Sequence, residues 1–152
     1  MKKLILLVLC VLYFGHVAGQ VIELSQPQKS KLLAMHNFYR RQAGSPELVW
    51  SGQLERQARQ WLHAFKERPL IPRNTLSYEQ NMSLLSDSSH ISKAVEQWAR
   101  EQIYYNGDFS DSAKMYLYQH YFRMINPEFD RIGCALLERT EGVYVLVCFY
   151  SH

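Results

Sequence analysis

Ile132-Gly133-Cys134-Ala135-Leu136-Leu137-Glu138-Arg139-Thr140-Glu141-Gly142-Val143-Tyr144-Val145-Leu146-Val147-Cys148-Phe149-Tyr150 closes the chain. Two runs rich in Ile, Leu, Val and aromatics flank Thr140-Glu141-Gly142. A three-residue hairpin loop with glycine in the left-handed third position is a favoured link between antiparallel strands. Arg139 and Val143 would then form the closing pair, and the same register sets Cys134 directly opposite Cys148. This predicts a cross-strand disulfide, the alternative being two free buried thiols. Ile132, Cys134 and Leu136 fall on one face of the hairpin, Ala135 and Leu137 on the other. A sheet apolar on both faces needs cover on both sides. The expected fold is α+β, a three-layer α/β/α sandwich with a small central antiparallel sheet.

The covering helices are found upstream. Ser25-Gln26-Pro27 reads as a helix start, with proline in the first turn. Leu32, Leu33, Met35, His36 and Tyr39 then share a broad helical face, and Gly44 stops it. Pro46 to Trp50 is short and extended, and Ser51 can cap a second helix carrying Leu54, Ala58, Trp61, Leu62 and Phe65. Pro69 and Pro72 open an irregular loop. Tyr78 to Leu85 is a strand or a turn into one. A third helix is expected from about Ser89 to Tyr105, with Ile91, Val95, Trp98 and Ile103 inward. A fourth is expected from Asp111 to Ile125, ended by Asn126-Pro127.

Lys2 and Lys3, the apolar run Leu4 to Phe14, and Val17-Ala18-Gly19 have the layout of a secretory signal peptide cleaved before Gln20. The apolar run is too short to span a bilayer as a helix, and an uncleaved anchor is the rival reading. Cys10 would leave with this segment, and two cysteines remain, an even number suited to an oxidising compartment. Residues 20–152 are then one domain. Loss of Lys2 and Lys3 lowers Lys+Arg from 17 to 15 against 14 acids, a net charge of about +1. That balance argues against nucleic acid as a partner. No second apolar stretch is long enough for a transmembrane anchor, so the expected location is secreted: extracellular, or periplasmic if the source is bacterial.

The order His120-Tyr121-Phe122-Arg123, Ile132-Gly133-Cys134, Val147-Cys148-Phe149-Tyr150 resembles the tail of the CAP superfamily. That superfamily takes its name from cysteine-rich secretory proteins, antigen 5 and pathogenesis-related 1 proteins. Its tail reads His-Tyr-Thr-Gln, Ile-Gly-Cys and Val-Cys-Asn-Tyr. His36-Asn37-Phe38-Tyr39-Arg40 followed by Pro46-Glu47-Leu48-Val49-Trp50 is similar to the first-helix signature, and Trp98 with Glu101 to the Trp-x-x-Glu of the third helix. The similarity covers about residues 28–150.

The resemblance implies a cleft that other members line with two histidines and two glutamates, able to hold zinc in some. His120 matches the second histidine and Glu101 the second glutamate. The Gly-Glu-Asn-Leu motif aligns best with Glu79-Gln80-Asn81-Met82, placing Gln80 where a carboxylate is expected. The first histidine should fall near Pro69, where none stands; His63 and His90 are too far along the chain. A transition metal normally needs three or four N, O or S ligands. No metal site and no cofactor are therefore expected, and no catalytic residue is assigned. Phe122 stands where the family usually has a hydroxyl, and Arg123 replaces the usual glutamine.

Tyr104, Tyr105, Phe109 and Tyr116 are candidates for a lipid portal, because some family members bind sterols or fatty acids through this segment and a groove between helices. Core and cavity packing is the bland alternative. Asn81-Met82-Ser83 is an N-glycosylation sequon by pattern, near the expected cleft floor. His36 and Arg40, one turn apart, are expected to stabilise the fold. The leading functional reading is a secreted non-catalytic binding module for a lipid or sterol, or for a partner protein. The alternatives are a hydrolase or metal-assisted enzyme using Glu101 and His120, and a defence-type protein acting through its surface.

Overall fold

The computed structural model describes residues 19–68, 78–107, 114–140 and 142–152. Its elements in chain order are β1 (Gln20–Ile22), α1 (Gln26–Ala43), β2 (Val49–Trp50), α2 (Gly52–Phe65), β3 (Glu79–Leu85), α3 (Ile91–Arg100), α4 (Gln119–Ile125), β4 (Arg131–Thr140) and β5 (Val143–Ser151). Short 3-10 turns lead into α3 at Ser88–His90, follow it at Glu101–Tyr104, and stand at Met115–Leu117. The signal-peptide reading of the first 18 residues, the Pro69–Pro72 loop and Phe109 lie outside the described residues.

The sheet runs β1-β4-β5-β3 through antiparallel pairs, with β2 joined in parallel to the start of β4. Cys134 pairs with Cys148 across the hairpin, and a disulfide joins them. Alternation along β4 and β5 sends Ile132, Cys134, Leu136, Leu146, Cys148 and Tyr150 to one face, and Ala135, Leu137, Val145, Val147 and Phe149 to the other. The first set packs with residues of α1, α3 and α4, the second with Leu54, Ala58, Trp61 and Leu62 of α2. The result is the α/β/α sandwich that two apolar sheet faces require.

Local chemistry explains the helices. Ser25 caps α1 in a reciprocal box with Gln28, and Gly44 ends the helix at φ 74, a left-handed conformation that glycine adopts without steric cost. Ser51 caps α2 by accepting from the Leu54 N–H. The α2 backbone then lies directly on β4. A Cβ at Gly133 would sit 2.3 Å from the Glu55 nitrogen and 2.7 Å from the Leu54 carbonyl carbon. No side chain fits there, which gives the glycine of Ile132-Gly133-Cys134 its physical reason.

Several expectations need correction. The hairpin closes on Thr140–Val143 rather than Arg139–Val143, because the register shifts between Glu138 and Thr140. Gly142 is left-handed, φ 78, as that turn demands. Ile103 is 74 % exposed rather than inward. The chain tightens from α-helix to 3-10 winding at Glu101, so each residue advances about 120° instead of about 100°. That rotation carries Ile103 off the stripe set by Ile91, Val95 and Trp98. Among the described residues of the expected fourth helix, the α-helix begins at Gln119, preceded by the turn at Met115–Leu117, and residues 111–113 lie outside the described residues. Strand β1 has no counterpart in the sequence reading; it pairs Gln20, Val21 and Ile22 with Glu138, Leu137 and Leu136.

Candidate functional site

Where α3 gives way to the 3-10 turn, Glu101 projects toward the start of α4. Its Oε1 accepts from His120 Nδ1 at 2.6 Å, and its Oε2 accepts from the backbone N–H groups of His120 at 2.8 Å and Tyr121 at 3.2 Å. One carboxylate thereby satisfies two N–H groups at a helix start that no other side chain caps, a place where negative charge is favourable. The same contact sets the imidazole with Nδ1 as donor. Trp98 stacks on the ring, with centroids 6.2 Å apart and planes 12° from parallel. Both side chains remain partly open, His120 at 28 % and Glu101 at 22 %.

The imidazole borders a cleft of about 280 Å³ lined by Gln80, Met82, Gln119, His120 and Arg123. Gln80 and His120 thus meet at one cleft, and Glu101 orients His120 from behind. Arg123 crosses from α4 to the edge strand, where its Nε donates to Glu79 Oε2 at 2.7 Å. It also donates to the Gln119 carbonyl. Glu79 points away from the position Gln80 takes, as neighbours on a strand must. Among the described residues the lining contains no serine, threonine or cysteine.

A zinc ion does not suit this arrangement. Both Glu101 oxygens are engaged by N–H donors, Gln80 offers only an amide, and the Arg123 guanidinium adds positive charge to the cleft. Among the described residues no three His, Cys, Asp or Glu side chains gather as a metal would need.

Beneath the cleft lies a second polar network. Asn81 is fully buried and donates through Nδ2 to the His120 carbonyl at 2.9 Å and to the Tyr150 hydroxyl at 3.1 Å. Tyr150 in turn donates to His36 Nε2 at 2.9 Å, and His36 Nδ1 donates to the Leu32 carbonyl at 2.7 Å. Burial pushes the His36 pKa down to about 4; the Leu32 carbonyl opposes the shift and nearby Arg40 adds to it. Burial also raises the Tyr150 hydroxyl well above its usual range. Arg40 reaches the carbonyls of Pro46, Met124, Asn126 and Phe129 and so ties the loop after α1 to the end of α4 and the loop that follows it. His36 and Arg40 are internal ties. The Asn81 carboxamide is committed inside the protein, so a glycan on this sequon is incompatible with the fold.

Three of the four portal candidates, Tyr104, Tyr105 and Tyr116, fall within the described residues. Tyr104 and Tyr116 are 55 % and 70 % exposed. Tyr105 turns toward the core, with ring centroids 5.5 Å from Tyr118 and 5.8 Å from Tyr121. Ile103, absent from the candidates, joins Tyr104 in the exposed apolar turn. The break in helical winding at Glu101 exposes it, and helical periodicity carried past that point hides the effect.

Comparison with known proteins gives a consistent picture. The model of the family described as "CAP: Cysteine-rich secretory protein family" matches residues 33–150. Pathogenesis-related protein 1A of Nicotiana tabacum is 28% identical over 128 residues, 84% of this chain and 76% of that protein. Among solved structures, a hookworm platelet inhibitor superposes with a TM-score of 0.67 at 20% identity, covering 88% of this chain and 73% of the other. The structure of NaASP2 with Zn2+ also gives 0.67, at 16% identity, covering 83% and 80%. At such identities the structural matches speak for the fold.

Proposed function

The chain belongs to the cysteine-rich secretory protein family, and on that premise we propose that it is a secreted, non-catalytic binding module. Residues 1–19 serve as the signal peptide, and 20–152 form one CAP domain. Its ligand is a lipid or sterol, or a partner protein, taken up through the cleft at Gln80 and His120 and the apolar turns beside it. One observation carries this reading. The Glu101–His120 pair is used to hold the start of α4, while the turns on either side of it expose Ile103, Tyr104 and Tyr116. Large apolar side chains facing water next to a braced cleft suit recognition better than chemistry. Phe109 belongs to the same segment by sequence.

The test is titration of the purified protein with a fluorescent sterol and a fluorescent fatty acid. Micromolar binding or better is expected, weakened about tenfold by Tyr104→Ala or Tyr116→Ala, since each removes an aromatic contact of roughly 1–2 kcal/mol. Unchanged binding in both variants would exclude the portal.

A second reading has one observation in its favour. A carboxylate on Nδ1 leaves His120 Nε2 as the ring nitrogen available to a bound molecule, the geometry of a general base. It would act on water, because the described lining residues supply no nucleophile. Esterase activity that disappears in folded His120→Ala would establish it.

A further inference from the structure

A second cavity, with about twice the volume of the cleft, stands apart from it. A groove of about 560 Å³ lies at the opposite edge of the sheet, between β1 and the outward surface of α2, lined there by Arg56, Arg59, Gln60, His63 and Lys66. These positions recur every three or four residues, so they form one stripe along the helix. Ten residues separate its ends, a span of about 15 Å at the helical rise.

Among the described residues no cation of this stripe has an acidic partner closer than 3.8 Å, whereas three cations outside it do. Lys29 holds Glu55 at 2.7 Å, Arg41 holds Glu47 at 2.5 Å, and Arg123 holds Glu79 at 2.7 Å. In the groove, Arg59 comes only within 3.8 Å of Glu23, and Lys66 within 3.9 Å of its neighbour Glu67. Both glutamates are at least 60 % exposed, so these pairs contribute little. Arg56 has no acidic partner among the described residues. Arg68 and Arg139 follow at the C-terminal end of α2, where an Arg139 guanidinium nitrogen donates to the Arg68 carbonyl. A chain with a near-balanced total charge has set Arg56, Arg59 and Lys66 along one line.

The lining narrows the chemistry of the occupant. Among the described residues of the lining, Val21 is the one apolar side chain and none is aromatic. A protein segment would want an aromatic or aliphatic anchor. A membrane would want an apolar side chain to insert, and a single-stranded nucleic acid would want rings on which to stack. Guanidinium groups, amides and an imidazole in a row suit an extended chain bearing oxyanions and hydroxyls, and guanidinium pairs with such oxyanions through two parallel N–H donors. We propose that the β1–α2 groove is a binding site for a sulfated polysaccharide. This site is separate from the cleft and goes beyond the function proposed above; either can fail without the other.

The experiment uses the full chain purified from secreting cells and a size-defined heparin oligosaccharide as the probe. Calorimetric titration at about 50 mM NaCl, followed across a salt series, should show binding that weakens steeply as salt displaces the released counterions. Arg56→Gln/Arg59→Gln/Lys66→Gln should lower affinity at least about tenfold and flatten the log–log salt slope by about two to three. Arg131→Gln, outside the groove, should leave both unchanged. Single Arg56→Glu, at an exposed helix position, should lower affinity several-fold and guards against misfolding of the triple variant, which circular dichroism checks. The proposal is overturned if the oligosaccharide does not bind, if the folded triple variant binds like the parent, or if the desulfated oligosaccharide binds equally well. Groove-dependent capture of phosphatidylserine vesicles without oligosaccharide binding would also overturn it, in favour of a membrane.

Discussion

His36 and His120 sit one above the other in this molecule, joined through Tyr150 and Asn81, yet they are held for opposite ends. His36 is fully buried, and both ring nitrogens are engaged, one by a carbonyl and one by a hydroxyl. His120 is braced on one nitrogen by Glu101 and leaves the other beside an open cleft. The same side chain is thus a fastener in the core and an unfinished site at the surface. Burial and the count of satisfied ring nitrogens decide which, and residue type does not.

The largest expected effect breaks the buried half. Arg40→Met deletes donors to four carbonyls, two of them on the residues that end α4 and begin the loop after it. A loss of about 4 kcal/mol is expected, since buried acceptors are stranded while the apolar stem is kept. Urea unfolding measures it, and a loss under about 1 kcal/mol would mean that these loops find other partners.

Acid sharpens the contrast next. The His36 pKa is about 4 in the folded protein and 6.5 in its reference state. Between those values the unfolded chain takes up a proton that the native core refuses. Stability is therefore full above about pH 6.5 and falls as pH drops toward 4, by up to about 3 kcal/mol. His36→Gln should flatten that part of the curve whatever it does to stability at neutral pH, and an unchanged slope would assign the proton to another group.

Smaller effects come from the open half. Glu101→Gln weakens the His120 contact and the cap of α4, for about 1–2 kcal/mol after allowance for partial exposure. Hydrogen exchange should rise in α4 and stay unchanged in the hairpin. Ile103→Ser should leave stability within about 0.5 kcal/mol, because the side chain already faces water. A larger loss in thermal unfolding would put Ile103 inside the fold and remove the apolar turn from the ligand surface.

What could be read from the chain beforehand follows the same division. Caps at Ser25 and Ser51, the breaker at Gly44 and the cysteine register are local chemistry, and they stand as their residue types imply. The cover on both faces follows from alternation in the hairpin. β1 could not be read, because three residues beside a proposed cleavage point show no alternation and gain their pairing only from β4. The exposure of Ile103 depends on a change of helical winding. In the site, Gln80, Glu101 and His120 could be placed by motif. The role of Arg123 as a strap across the cleft to Glu79 could not, since it joins residues 44 positions apart. The basic stripe of α2 was visible as spacing and concealed by a balanced total charge.

Cys134 and Cys148 lie in the middle strands with 0 % exposure, beneath helices on one face and α2 on the other. A small reductant therefore meets the bond only in molecules whose central sheet has come apart. Once cut, the two thiols lack the tether that held the strands in register during that excursion. Each opening is thus a moment of hazard as well as a fluctuation. With a small reductant in excess, which supplies the two electrons that cleave the bond, the rate at which a thiol-trapping reagent captures the freed thiols is a clock for how often the layers separate.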